Sequence, residues 1–346
     1  MPDQQHHRLK IVRTDRELEC PLIDAELNAL GADLVLLPDG VSEKDLAQEV
    51  ADADLLLMCY TPITKRVIDG ATRLKGIVKY GVGIDAIDIE AARARRIPVV
   101  NIPEYAEETV AEGAFTLMLA LAKKLVPMDR AMHKHGWLWP SAEWCGGDLA
   151  EKTVGLVGVG RIGRSMARMA GAGFRARVLG FDPQVDAQQM ANAGVEKVDD
   201  LKAMLNRCDF VTVHCVLTPQ SQSLIGEAEF SAMKPSAFLI NVSRGAIVEE
   251  RALLRALKEN RIAGAGLDVY SQEPLNKHSH PLSALFKMPN VILLPHLTFY
   301  TKEAMARLER ETLERCQELL DGRSVLVKSN DPRLRVQAHG VSFKPG

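Results

Sequence analysis

Three ionisable residues in the C-terminal half stand directly after short apolar runs. Arg244 follows Ile240-Asn-Val-Ser, Glu273 follows Gly266-Leu-Asp-Val-Tyr270, and His296 follows Val291-Ile-Leu-Leu-Pro295. If those runs are parallel strands, all three lie where open α/β sheets bind ligands. Singly each has an ordinary explanation: a surface arginine, a loop glutamate before Pro274, a strand-terminal histidine. Together they are the parts needed to reduce a 2-oxo acid. A guanidinium fork grips carboxylate and carbonyl oxygens. A histidine supplies the proton as hydride arrives, and a nearby carboxylate favours its imidazolium form.

A hydride source is written earlier in the chain. Thr153-Val-Gly-Leu-Val-Gly158-Val-Gly160-Arg161-Ile162-Gly163 sets Gly-x-Gly-x-x-Gly after an apolar run and before a helical pattern, a context that makes a weak motif specific. Gly158 allows the tight turn, Gly160 lets the backbone approach a pyrophosphate, and Gly163 lets helix and strand pack closely, with helix-terminal amides facing the anion. Asp182 ends the next apolar run, where a carboxylate accepts from ribose hydroxyls and repels a 2'-phosphate, favouring NAD over NADP.

The elements that must position these groups are legible as alternation. Short strands are expected at Leu9 to Val12, Leu34 to Leu37, Leu55 to Met58, Ile77 to Val78 and Val99 to Asn101. A long helix then runs from Thr109 to His135, with Ala111 to Leu125 as its buried part, followed by a Trp- and Gly-rich loop, Gly136 to Gly147. Six further strands follow at Thr153 to Val157, Arg177 to Phe181, Phe210 to His214, Phe238 to Val242, Gly264 to Val269 and Val291 to Leu294. Strands alternating with helices argue for parallel sheets. Lys302 to Leu320 reads as a closing helix, and Ser329 to Gly346, with its prolines and glycines, as a loose tail.

Composition excludes other classes. A chain of 346 residues suits about two domains. Its 47% hydrophobic and 25% charged residues are those of a globular protein, and a net charge of -2 supplies no global pull toward nucleic acid or anionic membrane. The apolar stretch Ala111 to Leu125 is too short to span a bilayer, and the polar start Met1 to Lys10 lacks a signal-peptide core, so a cytoplasmic location is expected. Cys20, Cys59, Cys145, Cys208, Cys215 and Cys316 form no Cys-x-x-Cys pair and read as reduced thiols. No metal site is expected, because His278 and His280 have no cysteine near them.

The runs Gly155 to Gly163, Asn241-Val242-Ser243-Arg244-Gly-Ala-Ile-Val-Glu249, Gly266 to Pro274 and Pro295-His296 resemble those of the D-isomer-specific 2-hydroxyacid dehydrogenases, including the phosphoglycerate dehydrogenase and glyoxylate or hydroxypyruvate reductase branches. The resemblance extends from about Ile11 to Gly322. It implies a doubly wound NAD-binding domain (104–297) inserted into a smaller flavodoxin-like α/β substrate-binding domain (1–103 and 298–346). It further implies Arg244, Glu273 and His296 as the catalytic set. Asp268 would meet the nicotinamide amide, and Thr109, Arg161, Ile162, His214, Cys215, Thr218, Val242, Ser243 and His296 would line the cofactor. Lys79-Tyr80-Gly-Val82-Gly83-Ile-Asp85 resembles the family loop whose amides, here Val82 and Gly83, hold the substrate carboxylate, with Lys79 and Tyr80 alongside.

Departures bear on the substrate. The family's Asp-Asn-x-Asp is Asp85-Ala-Ile-Asp88, and its His-x-Pro-Leu-Thr is His214-Cys215-Val-Leu-Thr218. After the histidine, Leu297-Thr-Phe299-Tyr300-Thr301 brings aromatic bulk, so Phe299 or Tyr300 is expected to wall the acyl side of the substrate. That segment resembles the carboxy-terminal-binding-protein branch, whose animal members are NAD-sensing corepressors, and it supplies an alternative: an NAD(H)-sensing binding protein with little turnover. Met58-Cys-Tyr-Thr-Pro62 has no arginine where the phosphoglycerate branch commonly carries one, which disfavours a phosphorylated substrate. The aromatic loop His135-Gly-Trp137-Leu-Trp139-Pro140 suits a homodimer contact.

Overall fold

A computed structural model describes residues 8–344; most of the polar N-terminal stretch read above, and the last two residues of the tail, lie outside the described residues. The chain divides into two units, one running to Ala106 and resuming at Thr301, the other spanning Glu107–Tyr300.

The first unit opens with β1 (Lys10–Arg13), β2 (Asp33–Leu36), β3 (Leu55–Met58), β4 (Gly76–Lys79) and β5 (Val99–Asn101). They form one parallel sheet in the order β2-β1-β3-β4-β5, the flavodoxin-like order. Parallel strands covered on both faces read as continuous apolar runs, and Leu55, Leu56, Leu57 and Met58 are all fully buried. Each such side chain stabilises the fold by about 1.5–3 kcal/mol relative to an exposed one.

The second unit carries β6 (Thr153–Val157), β7 (Arg177–Phe181), β8 (Glu196–Lys197), β9 (Phe210–Val213), β10 (Phe238–Asn241), β11 (Gly264–Leu267) and β12 (Val291–Leu293). Their order, β12-β11-β10-β9-β6-β7-β8, all parallel, is doubly wound about β6 and β9. The expected six strands are present; the seventh, β8, has only two residues, too few to show a period. Val157, Leu179, Val211, Leu239, Leu267 and Phe230 belong to the core beside this sheet.

The single long helix expected from Thr109 to His135 is two helices, Glu107–Ala122 and Leu125–His135. Lys124 breaks it in the left-handed region (φ 49°). The following loop folds back on the break: the Gly147 amide donates to the Ala122 carbonyl at 2.8 Å, and Lys124 Nζ donates to the Glu143 carbonyl at 2.6 Å.

The chain returns to the first unit through the helix Lys302–Leu320, capped by the Thr301 hydroxyl, which accepts from the Ala304 amide at 3.2 Å. Ala304, Leu308, Thr312, Cys316 and Leu319 form its buried stripe. The expected loose tail is instead built in. Strands β13 (Val325–Val327) and β14 (Val341–Phe343) pair in parallel, and Asp331 caps a short helix between them. The Gln337 carboxamide closes the open edge of β5, accepting from the Val99 amide at 2.8 Å and donating to its carbonyl at 2.9 Å. Prolines and glycines there mark turns, and the side chain of Gln337 replaces a neighbouring strand.

Candidate active site

At the carboxyl end of β6 the glycine turn is dictated by space. Gly158 has φ 96°, and a Cβ on it would lie 2.4 Å from the Cys215 amide nitrogen; a Cβ on Gly163 would lie 2.4 Å from the Gly158 carbonyl oxygen. Gly160 differs, because a Cβ there would meet nothing within 4 Å. The turn is therefore closed on the protein side and open at Gly160, which starts the helix Arg161–Arg168 without a side-chain cap. Its first amides have no side-chain cap, the arrangement by which a helix N-terminus can take an anion.

Asp182 is aimed at this turn. Its Oδ2 accepts from the Val159 amide and its Oδ1 from the Gln184 amide, both at 2.9 Å. His214, at the end of β9, shares a 3.0 Å hydrogen bond between its Nε2 and the Thr212 hydroxyl, and its buried Nδ1 has no partner among the described residues. Burial pushes its pKa down to about 3, so it is neutral. Burial likewise pushes the Cys215 thiol up to about 12. Ser243 donates to the Cys215 carbonyl at 2.5 Å, joining the loops after β9 and β10. Thr218 closes a turn with Ser221, Val242 is buried, and Thr109 is buried in the first turn of the helix Glu107–Ala122. Arg161 pairs with Glu107 at 3.0 Å. An open glycine cradle, an oriented carboxylate and an orphaned ring nitrogen fit a dinucleotide.

The ionisable set converges at the ends of β10, β11 and β12. Gly245 packs so tightly that a Cβ would fall 1.9 Å from the Tyr270 carbonyl carbon, which draws the Arg244 turn onto the loop carrying Glu273. Asn241 holds the Arg244 carbonyl at 2.9 Å. Glu273 Oε2 lies 2.8 Å from His296 Nδ1, and its Oε1 accepts from the Tyr270 amide at 2.9 Å. Burial works to raise the Glu273 carboxyl, but the hydrogen bond and charge of His296, with the Tyr270 amide and Arg244, outweigh it and hold the group below the usual carboxylate range. It is ionised at neutral pH.

His296 occupies the left-handed region (φ 59°), which costs a non-glycine residue about 1–2 kcal/mol. Asp268 offsets that cost. Its carboxylate accepts from the Leu297 amide at 2.9 Å, the Thr298 amide at 3.0 Å and the Thr298 hydroxyl at 2.6 Å. Asp268, expected on the nicotinamide amide, is thus fully buried under the loop that aims His296.

In the first unit the expected substrate residues separate into two kinds. The amides of Val82 and Gly83 donate to nothing among the described residues, and Asn101 fixes the loop by donating to the Val82 carbonyl at 2.6 Å. Lys79 is buried with its ammonium on the Cys59 carbonyl. Tyr80 corrects the sequence reading: its side chain is fully buried and its hydroxyl donates to the Thr14 carbonyl at 2.5 Å, so only its backbone belongs to the loop surface. Phe299 is likewise a buried side chain, and Tyr300, its ring 6.0 Å away, is the exposed aromatic after His296. Sequence reasoning missed Asp15, Asn101 and the brace at Asp268. The available signal was a polar residue at the carboxyl end of an apolar strand.

Residues 115–298 match the family model described as the D-isomer specific 2-hydroxyacid dehydrogenase, NAD binding domain. The chain belongs to the D-isomer specific 2-hydroxyacid dehydrogenase family. Its members are NAD-linked oxidoreductases acting on CH-OH groups. The chain is 39% identical over 276 residues to a glyoxylate reductase of Korarchaeum cryptofilum, covering 79% of this chain and 81% of that one. It is 38% identical over 284 residues to a D-3-phosphoglycerate dehydrogenase of Methanocaldococcus jannaschii, covering 82% of this chain but only 53%, about half, of that protein. The solved D-lactate dehydrogenase of Aquifex aeolicus, complexed with NAD and lactic acid, superposes with a TM-score of 0.81 at 28% identity, over 90% of this chain and 96% of that one. The corepressor alternative gains no support from these relatives. Among the described residues no helix is long and apolar enough to cross a membrane, and no group of three His, Cys, Asp or Glu is placed to hold a metal.

Proposed function

We propose that this protein reduces a small 2-oxo acid to the D-2-hydroxy acid, or catalyses the reverse, with NAD(H). The observation that carries the reading is the 2.8 Å pairing of His296 Nδ1 with Glu273, whose loop packs against the Arg244 turn at Gly245. When bound, the nicotinamide supplies the hydride for C2. With Nδ1 held by the carboxylate, Nε2 of His296 delivers its proton to the carbonyl oxygen. Glu273 stabilises the imidazolium and fixes the ring, and Arg244 polarises the carbonyl with its fork of donors. The Val82 and Gly83 amides take the substrate carboxylate. Gly158, Gly160, Arg161, Ile162 and Gly163 hold the pyrophosphate, and Asp182 holds the ribose and disfavours NADP.

Glyoxylate and hydroxypyruvate are the favoured substrates, because the Korarchaeum cryptofilum relative is a glyoxylate reductase and Met58-Cys-Tyr-Thr-Pro62 carries no arginine. A phosphorylated acid such as 3-phosphohydroxypyruvate ranks below them. Reduced thiols fit a cytoplasmic enzyme. Trp137 and Trp139, 65% and 78% exposed with their rings 6.3 Å apart, support a homodimer through this loop. The test is steady-state oxidation of NADH by the purified chain against a panel of 2-oxo acids. Turnover of at least one supports the reading; tight NADH binding with no acid reduced favours the sensing alternative.

A further inference from the structure

In the first unit the strand order reverses between β1 and β3, which opens a crevice at their carboxyl ends where parallel sheets bind ligands. Asp15 fills it. This residue follows β1 in the left-handed region (φ 56°) and is 1% exposed. Its Oδ2 accepts from the Thr14 hydroxyl at 2.6 Å, the Cys59 amide at 2.7 Å and the Tyr60 amide at 2.9 Å. Its Oδ1 accepts from the Thr61 hydroxyl at 2.8 Å and the Thr61 amide at 3.1 Å. Three successive amides aimed at one point make an anion-binding concavity, and here the chain supplies the anion.

The consequence reaches the substrate loop. With its amide turned to Asp15, Cys59 presents its carbonyl to the ammonium of Lys79, which also lies 3.2 Å from Cys59 Sγ and 5.3 Å from the centre of the Tyr60 ring. Glycine at 81 makes room for it, since a Cβ there would be 2.9 Å from Lys79 Nζ. Val82 and Gly83 follow directly. The geometry points to Asp15 as a positioning residue: it fixes the loop Cys59 to Thr61 and, through the Cys59 carbonyl, the Lys79 ammonium, and so sets the affinity for the substrate carboxylate. This rests on the reading of Val82 and Gly83 as the carboxylate site.

Asp15→Asn keeps the shape but replaces an acceptor by a donor facing amides. It is expected to raise KM for the best 2-oxo acid about tenfold, with kcat and NADH affinity within about twofold, since one charged hydrogen-bond acceptor is lost. Lys79→Met is expected to do the same. Because Asp15 acts through Lys79, adding Asp15→Asn to Lys79→Met is expected to change KM by less than about twofold; a full further tenfold rise overturns the proposal. Thr61→Val, which removes only a hydroxyl, provides a milder arm: KM rises about threefold, and an unchanged KM contradicts the assignment. Hydrogen exchange separates this proposal from the functional reading, because it needs no turnover. In Asp15→Asn, exchange is expected to accelerate in both segments 59–61 and 79–83; acceleration confined to 59–61 overturns the proposal. Failure of the parent to reduce any 2-oxo acid counts against the functional reading alone.

Discussion

The two units each contain a parallel sheet whose strand order reverses once, between β1 and β3 in one and between β6 and β9 in the other, and each directs backbone amides into the resulting crevice. In the second unit that crevice is left open: Gly160 faces empty space and Nδ1 of His214 has no partner among the described residues. In the first it is closed by Asp15, whose carboxylate takes the amides of Cys59, Tyr60 and Thr61. Topology creates an anion-ready position in both; one side chain decides whether it receives a ligand or becomes scaffold. The same contrast separates Glu273, which faces the His296 ring, from Asp268, whose oxygens hold the chain after His296.

The contrast can be broken experimentally. His296→Gln is expected to reduce kcat/KM for reduction by about 10²- to 10⁴-fold, the usual worth of a general acid, with NADH affinity unchanged by titration calorimetry. A parallel loss of NADH affinity would place His296 in binding. Gly160→Val probes the open crevice: with nothing within 4 Å to clash, the melting temperature is expected to hold while NADH affinity falls about a hundredfold. Melting lowered along with affinity would show the turn to be packed as tightly as the one at Asp15. Asp182→Ala is expected to weaken NAD(H) about tenfold and NADP(H) less, as a lost charged acceptor would. Equal weakening of both cofactors would remove the ribose assignment.

What the sequence disclosed follows this division. Gly163 is required by the Gly158 carbonyl within the same turn and Gly158 by its positive φ and the Cys215 amide, while Gly160 stays open, so their spacing pointed to the crevice. That Glu273 and His296 come together was legible because each lies in the loop just past an apolar strand, β11 or β12. Tertiary constraints were not. The left-handed Lys124 depends on Gly147 returning to the Ala122 carbonyl, and the built-in tail depends on Gln337 meeting the edge of β5. Asp15, in Thr14-Asp-Arg-Glu-Leu18, reads locally as a turn residue, because its amide partners arrive from β3 far along the chain. Phe299 and Tyr80 were placed at the site by sequence adjacency, yet the loop geometry turns both side chains inward.

The most direct test of the proton-transfer assignment is the pH profile of kcat/KM for 2-oxo acid reduction in the parent and in Glu273→Gln. Glu273 is held below the usual carboxylate range, so it is charged throughout the working range and favours the protonated partner at 2.8 Å. Gln keeps a hydrogen-bonding group but carries no charge to stabilise the protonated form of the donor in the reaction, so the alkaline limb is expected to begin at lower pH in Glu273→Gln. An alkaline limb left in place by Glu273→Gln would contradict the pair as the proton-delivering unit of this site.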